Sequence, residues 1–271
     1  MQLLSSELNA ALGGEDLFKV VDSLKGTIYR QMADRKTLKV IVGGEPYFVK
    51  IHYGVGWAEI FKNLLTLKLP VLGAINEWKA ITKLEKGGLK TMQIAGYGSY
   101  GLNPATIKSF IITKEISNTI SLEDLFLKQP VPFPLKLRLV NEVSSMVKLL
   151  HREGVNHRDL YICHFLMDLS SMQTSRPMLF LIDLHRAQIR HQVPRRWLVK
   201  DVGALFFSIF DTTIDLKDLY RFMKIYSGKS LRKTFEEDMV FWCQVMKRAH
   251  SLYLQDHDEL PAWINKLEQR N

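Results

Sequence analysis

Two aspartates carry the chemistry that stands out in this chain. Asp159 follows His157-Arg158, and Asp183 comes 24 residues later in Ile182-Asp183-Leu184. Between them, HFLMD and MLFLID flank the polar stretch LSSMQTSRP and read as a β-hairpin, which puts one carboxylate at each end. One carboxylate can orient a hydroxyl for attack while the other holds a divalent cation. Taken singly, each has a plainer reading, Asp159 as the cap of a turn and Asp183 as the end of a strand. A lysine adds to the pair. In YFVKI, Tyr47, Val49 and Ile51 share one strand face and put Lys50 on the other with Phe48. From there it can reach phosphates, or it can be a solvated edge-strand lysine.

The order of helix, His-Arg-Asp loop, hairpin and second aspartate resembles the catalytic layout of protein kinases. In that layout Asp159 orients the acceptor hydroxyl, Asp183 holds magnesium and Lys50 meets the phosphates of ATP. Lys50 then needs a helical glutamate as its partner. Glu77 is the candidate, because Glu77, Ile81 and Leu84 recur at i, i+4 and i+7 and share the apolar face of a helix. Its plainer role is to offset a helix dipole.

Other positions fit the layout less well. Protein kinases cover the nucleotide with a glycine-rich loop between their first two strands. Here only Gly26, in LKGTIYR, falls in that place, with Lys25 beside it as a side-chain substitute. Five residues after Asp159, where those enzymes carry a second magnesium ligand, stands His164. Imidazole is a poor magnesium ligand, so either one metal suffices or His164 hydrogen-bonds the loop.

Downstream of Leu184 the chain carries Arg186, Arg190, Arg195, Arg196 and Lys200, with His185 and His191 and no acidic residue. Such a run is ordinarily a solvated face, but it also suits an acceptor that already bears phosphates or carboxylates. The Ala-Pro-Glu ending of the protein-kinase segment is missing. A second basic and aromatic patch combines Lys62 and Lys68 with Trp57 and Phe61, and fits an interfacial helix or a lobe surface.

The elements that must position these groups change character along the chain. FKVVDS, GTIYRQ, RKTLKVIV and PYFVKI, within residues 17–51, read as strands of an antiparallel sheet, with Gly43-Gly44 as a hairpin turn. A loop and short amphipathic helix follow, then a helix from Asn76 to Lys86 that stops at Gly87-Gly88. After a strand at 110–116, SLEDL opens a helix with a serine cap. Apolar spacing predicts further helices over 135–152, 201–210, 215–226 and 235–254. The expectation is an α+β fold with an N-terminal lobe over 1–115 and a mainly helical C-terminal lobe over 116–271.

Composition narrows the surroundings. With 46% hydrophobic and 24% charged residues in 271, disorder and fibrous classes are excluded. A net charge of +9 points to an anionic partner: nucleic acid, an acidic membrane surface or a phosphorylated substrate. Cys163 and Cys243 are too few for a disulfide framework, which suggests a reducing compartment. The opening MQLLSSELNAALGGED does not read as a signal peptide, and VGALFFSIF, the longest apolar run, is too short to span a membrane. The expected location is cytoplasmic, with any membrane contact peripheral.

Three strings, HRDLYICHFL, IDLHRAQ and HYGVGWAEIFKNLLTLKLPVLGAINEWKA, are much more specific than the bare tripeptide. They resemble the bacterial lipopolysaccharide core heptose kinase family, of WaaP or RfaP type, over nearly the whole chain. The resemblance implies a bilobal protein-kinase-like fold and ATP-dependent phosphorylation of a heptose, with Mg2+, at the cytoplasmic face of a Gram-negative inner membrane. It carries the family's aspartate onto Asp159, its metal aspartate onto Asp183, and its ATP lysine and partner onto Lys50 and Glu77. The implied partner is an inner-core glycolipid and not nucleic acid. Phosphorylation of another core sugar such as keto-deoxy-octulosonic acid, a protein kinase, and a non-catalytic pseudokinase remain the alternatives.

Overall fold

A computed structural model describes residues 2–13, 16–65, 72–128 and 130–264. The chain divides into two compact units. The first comprises Met1–Lys83, Thr91–Ile116 and Asp183–Arg186, and the second comprises Leu84–Lys90, Ser117–Ile182 and Ala187–Asn271.

The first unit is built on strands β1 (Gln2–Leu4), β2 (Thr27–Gln31), β3 (Arg35–Val42), β4 (Glu45–His52), β5 (Ile94–Tyr100) and β6 (Lys108–Lys114). They form one six-stranded antiparallel sheet in the order β1-β5-β6-β4-β3-β2. Gly43 and Gly44 join β3 to β4 with both φ angles positive, 59° and 86°, as a two-residue hairpin turn requires. Along β4, Tyr47, Val49 and Ile51 are buried on one face while Phe48 and Lys50 alternate to the other. Helices α1 (Ser6–Leu12), α2 (Leu17–Asp22), α3 (Gly56–Leu65) and α4 (Ile75–Lys86) complete the unit, with the last turn of α4 grouped with the second unit.

FKVVDS, expected as the first strand, is instead α2. Asp16 caps it by accepting from the Lys19 amide at 3.2 Å, and Leu17, Phe18 and Val21 turn inward at helical spacing. Those same residues pack into the core with Leu8, Leu38 and Val49, so burial overrides the β-propensity of the two valines.

The second unit is mainly helical, with α5 (Leu122–Lys128), α6 (Phe133–Arg152), α7 (Arg195–Phe207), α8 (Leu216–Ser227) and α9 (Leu231–Tyr253). Its short strands are β7 (Thr119–Ser121), β8 (Val155–Asn156), β9 (Phe165–Asp168), β10 (Leu179–Leu181) and β11 (Gln188–Ile189). The expected hairpin is present as β9 and β10, with β7 added on the other side of β9, and β8 pairs with β11. Caps set the helix starts. Asp215 and Asp218 form a reciprocal capping box on α8, and the Ser230 side chain caps α9, starting it four residues before the expected 235. One unit built on a sheet and one that is mainly helical give the α+β, protein-kinase-like class expected from the sequence.

Candidate active site

Lys50 lies on a central strand, with Thr37 of β3 and Ile111 of β6 as its register partners. It is therefore no edge-strand lysine. Its Nζ donates to Glu77 Oε1 at 2.7 Å and to Asp183 Oδ1 at 3.2 Å. Packing sets the carboxylate of Glu77. The Ala74 amide just before α4 donates to Ser109 Oγ on β6 at 3.0 Å, and Trp78 stacks on Tyr97 of β5 with centroids 4.9 Å apart. Glu77 is 1% exposed, which a carboxylate serving only the helix dipole would have no reason to be.

Asp183 adopts a left-handed backbone, φ 62°, and its Oδ1 also accepts from His185 Nδ1 at 2.7 Å. Burial pulls the Lys50 ammonium pKa down, but Glu77 and Asp183 outweigh it and the net shift is upward, so Lys50 stays charged. His52 shares its strand face. Burial, with the charges of Arg35, Lys50 and His185, drives its pKa down to about 3 and keeps it neutral.

Among the described residues no group of three or more His, Cys, Asp or Glu side chains is arranged to hold a metal ion. Magnesium carried with a nucleotide asks for less: one or two carboxylates, with phosphate oxygens and water filling the remaining positions. Asp183, 33% exposed beside the Lys50 ammonium, is a donor of that kind.

In the second unit the His157-Arg158-Asp159 loop runs from β8 to a short 3-10 turn over Ile162–His164. Asp201, fully buried on α7, holds it. Its Oδ2 accepts from the His157 amide at 2.6 Å and its Oδ1 from the Arg158 amide at 2.9 Å. His151 of α6 approaches the same carboxylate through Nε2 at 3.3 Å, with Nδ1 2.8 Å from the Tyr226 hydroxyl. Arg158 is left-handed, φ 76°, a backbone that bulky residues rarely adopt.

The His157 Nε2–H donates to the Ile182 carbonyl at 3.0 Å, tying the loop to the segment that enters Asp183. His164 donates from Nδ1 to the Asp159 carbonyl at 2.7 Å and stacks on His157 with centroids 5.6 Å apart. Of the two readings of His164, this geometry supplies the hydrogen bond to the loop.

The remaining sequence candidates separate. Gly26 stands between α2 and β2 rather than between two strands, and a Cβ there would collide with the Lys39 carbonyl. Close backbone approach therefore accounts for this glycine without a nucleotide. Arg190 binds the side chains of Asn156 and Gln188, the latter at 2.6 Å. Arg195 turns to Gln244 at 3.2 Å and to the Phe241 ring, while Arg196 gathers with other cations at Trp197. Arg186 belongs with the first unit. Lys68 lies outside the described residues.

With this geometry in view, residues 19–226 match the lipopolysaccharide kinase (Kdo/WaaP) family. The chain belongs to that family. It is 44% identical over 249 residues to the lipopolysaccharide core heptose(I) kinase WaaP of Pseudomonas aeruginosa, covering 89% of this chain and 91% of that one. To the Escherichia coli K12 protein of the same name it is 46% identical over 224 residues, covering 81% and 84%. A solved structure of WaaP in complex with acyl carrier protein matches with a TM-score of 0.81 and 37% identity over 93% of this chain and 99% of that one.

Two residues escaped sequence reading. Asp201 sits in LVKDVGALFF on the same helix face as Leu198 and Leu205, and a charge at an inward position was the available signal. Trp197 lies inside the basic run and gave no periodic signal of its own.

Proposed function

We propose that this member of the family is an ATP-dependent kinase that phosphorylates heptose I in the inner core of lipopolysaccharide. The observation that carries the reading is identity of 44% and 46%, along most of both chains, to two proteins named as heptose(I) kinases.

The residues supply matching chemistry. Asp159 orients the acceptor hydroxyl and receives its proton as the oxygen bonds to the γ-phosphorus and the bond from that phosphorus to the bridging oxygen of ADP breaks. Asp201 and His164 hold the backbone on either side of Asp159 so that the carboxylate is positioned before substrate arrives. Lys50, kept in place and charged by Glu77, stabilises the nucleotide phosphates. Asp183 holds Mg2+, which when bound neutralises developing charge on those phosphates. The first unit thus serves ATP and the second serves the acceptor.

The test is transfer of labelled phosphate from ATP to purified inner-core glycolipid with magnesium, followed by identification of the phosphorylated sugar. Label on heptose I is expected. Label on keto-deoxy-octulosonic acid, the second reading, which the joint Kdo/WaaP family favours, would replace heptose as substrate; label on peptides alone would remove the sugar.

Two further expectations belong to the same reading. Among the described residues no helix is long and apolar enough to cross a membrane. Work at the cytoplasmic face of the inner membrane is the location that a heptose(I) kinase reading implies. α3 exposes Trp57, Phe61, Leu64 and Leu65 along one face, with Ile60 turned inward, and suits peripheral contact with lipid. An acyl carrier protein is a partner by likeness to the WaaP complex.

A further inference from the structure

Edge strand β2 breaks the alternation of its sheet at one place. Its register with β3 pairs Ile28 with Leu38 and then Arg30 with Thr37, which leaves Tyr29 as the extra residue of a β-bulge. Residues paired directly across antiparallel strands share a face. Ile28 therefore stands on the core face with the buried Leu38, whereas Arg30 stands with Thr37 and, one strand further on, with Lys50. Tyr29 turns to that second face as well, since its ring meets Phe48 with centroids 5.4 Å apart. Two consecutive residues of one strand thus look the same way, where a regular strand would have turned Arg30 to the face opposite Tyr29.

The face they share is the one that carries Lys50. Its β5–β6 half is engaged by α4, through Trp78 on Tyr97 and the Ala74 amide on Ser109, while its other half runs out to β2, whose residues are all exposed. Two rows cross this open half. Arg30, Thr37 and Lys50 form the first, in which the strands of the arginine and the lysine are two ladder spacings, roughly 9–10 Å, apart. Thr37 between them is short, so both long side chains can close on one group above it. The second row is aromatic: Phe48 lies about 7 Å from Lys50 along β4, and Tyr29 stands edge-on to it at an interplanar angle of 69°. A cationic row beside an aromatic row fits a nucleotide laid lengthwise, phosphates at the first and nucleoside at the second.

The turn that joins β2 to β3 offers phosphates little. Met32-Ala33-Asp34 contains no glycine, the Met32 amide donates to the Arg35 carbonyl at 2.8 Å, and Asp34 brings a negative charge. We propose that the bulge at Tyr29 makes β2 the nucleotide clasp, with the Arg30 guanidinium on the phosphates in place of a glycine-rich loop and Tyr29 with Phe48 against the nucleoside. This rests on the reading of Lys50 as the cation that meets the phosphates of ATP. A glycine loop holds phosphates by backbone amides and so demands close backbone approach. A guanidinium reaches them from further away and holds two oxygens at once in a charge-assisted pair. Tyr29, 62% exposed at a sheet edge, is aromatic surface that a bound base would cover.

The test reads binding by calorimetry on the full-length protein, with a non-hydrolysable ATP analogue and adenosine as the two probes. Arg30→Gln should bind the ATP analogue at least about tenfold more weakly and adenosine with unchanged affinity. Tyr29→Leu should weaken both probes by the same factor, about fivefold or more. Arg30→Lys keeps the charge on the same face and should recover part of the loss. Arg30→Gln/Gln31→Arg also keeps the net charge, but Gln31 pairs with Lys36 on the opposite face, and that variant should bind like Arg30→Gln. Because Tyr29, Arg30 and Gln31 are exposed, thermal unfolding without nucleotide should stay close to wild type in every variant.

Equal affinity for the ATP analogue in wild type and Arg30→Gln overturns the phosphate contact. Recovery through Gln31→Arg overturns it too, by reducing the effect to net charge. If Arg30→Gln loses adenosine binding as much as analogue binding, the arginine only supports the strand and the contact is again overturned. Unchanged adenosine binding in Tyr29→Leu removes the aromatic row from the clasp. A wild-type protein that binds no ATP analogue ends both the clasp and the kinase reading. If the variants separate as expected while no sugar is phosphorylated, the heptose acceptor fails and the clasp stands.

Discussion

The Lys50 cluster of the first unit and the Asp159 loop of the second are held by different physics. In the first unit, side-chain charges hold one another: Lys50 bridges Glu77 and Asp183, and His185 joins Asp183. In the second unit, the Asp159 loop is held through its backbone, with the buried Asp201 accepting two consecutive amides and His164 donating to a carbonyl. On the proposed reading the charge cluster would face a ligand that is itself highly charged, and ion pairs can exchange partners when phosphates and metal arrive. The loop would have to keep one carboxylate at one hydroxyl, and hydrogen bonds to successive amides leave the backbone little freedom. Damage to the first should therefore appear in ATP affinity, and damage to the second in turnover.

The comparison breaks most decisively at the group that the second unit positions. Asp159→Asn is expected to lower kcat by about 100-fold or more with ATP binding and thermal unfolding nearly unchanged. A variant that retains more than about a tenth of wild-type turnover removes Asp159 from the reaction.

Next is Asp201→Asn, which leaves a carboxamide oxygen where two carboxylate oxygens accepted. The expected result is a kcat lowered roughly 100-fold through misplacement of the loop, a reduced Tm, and an ATP KM close to wild type. If the ATP KM rises as much as kcat falls, the separation of the two physical designs is wrong.

In the first unit, Lys50→Ala should weaken transfer by roughly ten- to a hundredfold, and Glu77→Ala by less, because losing the partner misplaces the cation without deleting it. A double-mutant cycle should give a coupling of about 1 kcal/mol or more. Additive effects would dissolve the pair.

His52 sharpens the picture from the side of stability. Its folded pKa, about 3, lies below the ordinary 6.5, so between those values the unfolded chain takes up a proton that the folded chain refuses. Stability attributable to His52 is therefore present above pH 6.5 and is lost on acidification, at about 1.4 kcal/mol per pH unit. Urea unfolding at pH 7 and pH 5 should show His52→Gln losing roughly 2 kcal/mol less than wild type. Equal losses would mean that the histidine is solvated or partnered in the folded state.

The smallest effect is expected at His164. His164→Asn keeps an amide that can donate toward the Asp159 carbonyl, so activity with magnesium should fall less than about tenfold. Complete loss in a folded variant would assign the imidazole a task that asparagine cannot perform.

Local pattern made some of this molecule legible without coordinates. The alternation of Tyr47, Val49 and Ile51 put Lys50 on the opposite face of its strand, and the i, i+4, i+7 spacing of Glu77, Ile81 and Leu84 turned the glutamate inward. Gly43-Gly44 marked a hairpin, and the apolar repeat of α6 marked a helix. Strand and helix periods are properties of the backbone, so side-chain direction follows from spacing alone. FKVVDS failed because two valines suit a strand locally, while the core that claims Leu17, Phe18 and Val21 as one helical stripe is assembled from distant residues.

By itself, the order of residues determined which groups can do chemistry and which faces of their elements they occupy. Tertiary structure alone decided which of them meet. Asp183 reaches Lys50 across 133 positions, and Asp201 reaches the Arg158 amide across 43. The cations that surround Trp197 come from the loop after β8, the end of β11 and α7, whereas Arg195, next to Arg196 in sequence, turns to Gln244 instead. The physical reason is that hydrogen bonds and charge interactions act over a few ångströms of space, and distance along the chain does not set that space until the core has packed.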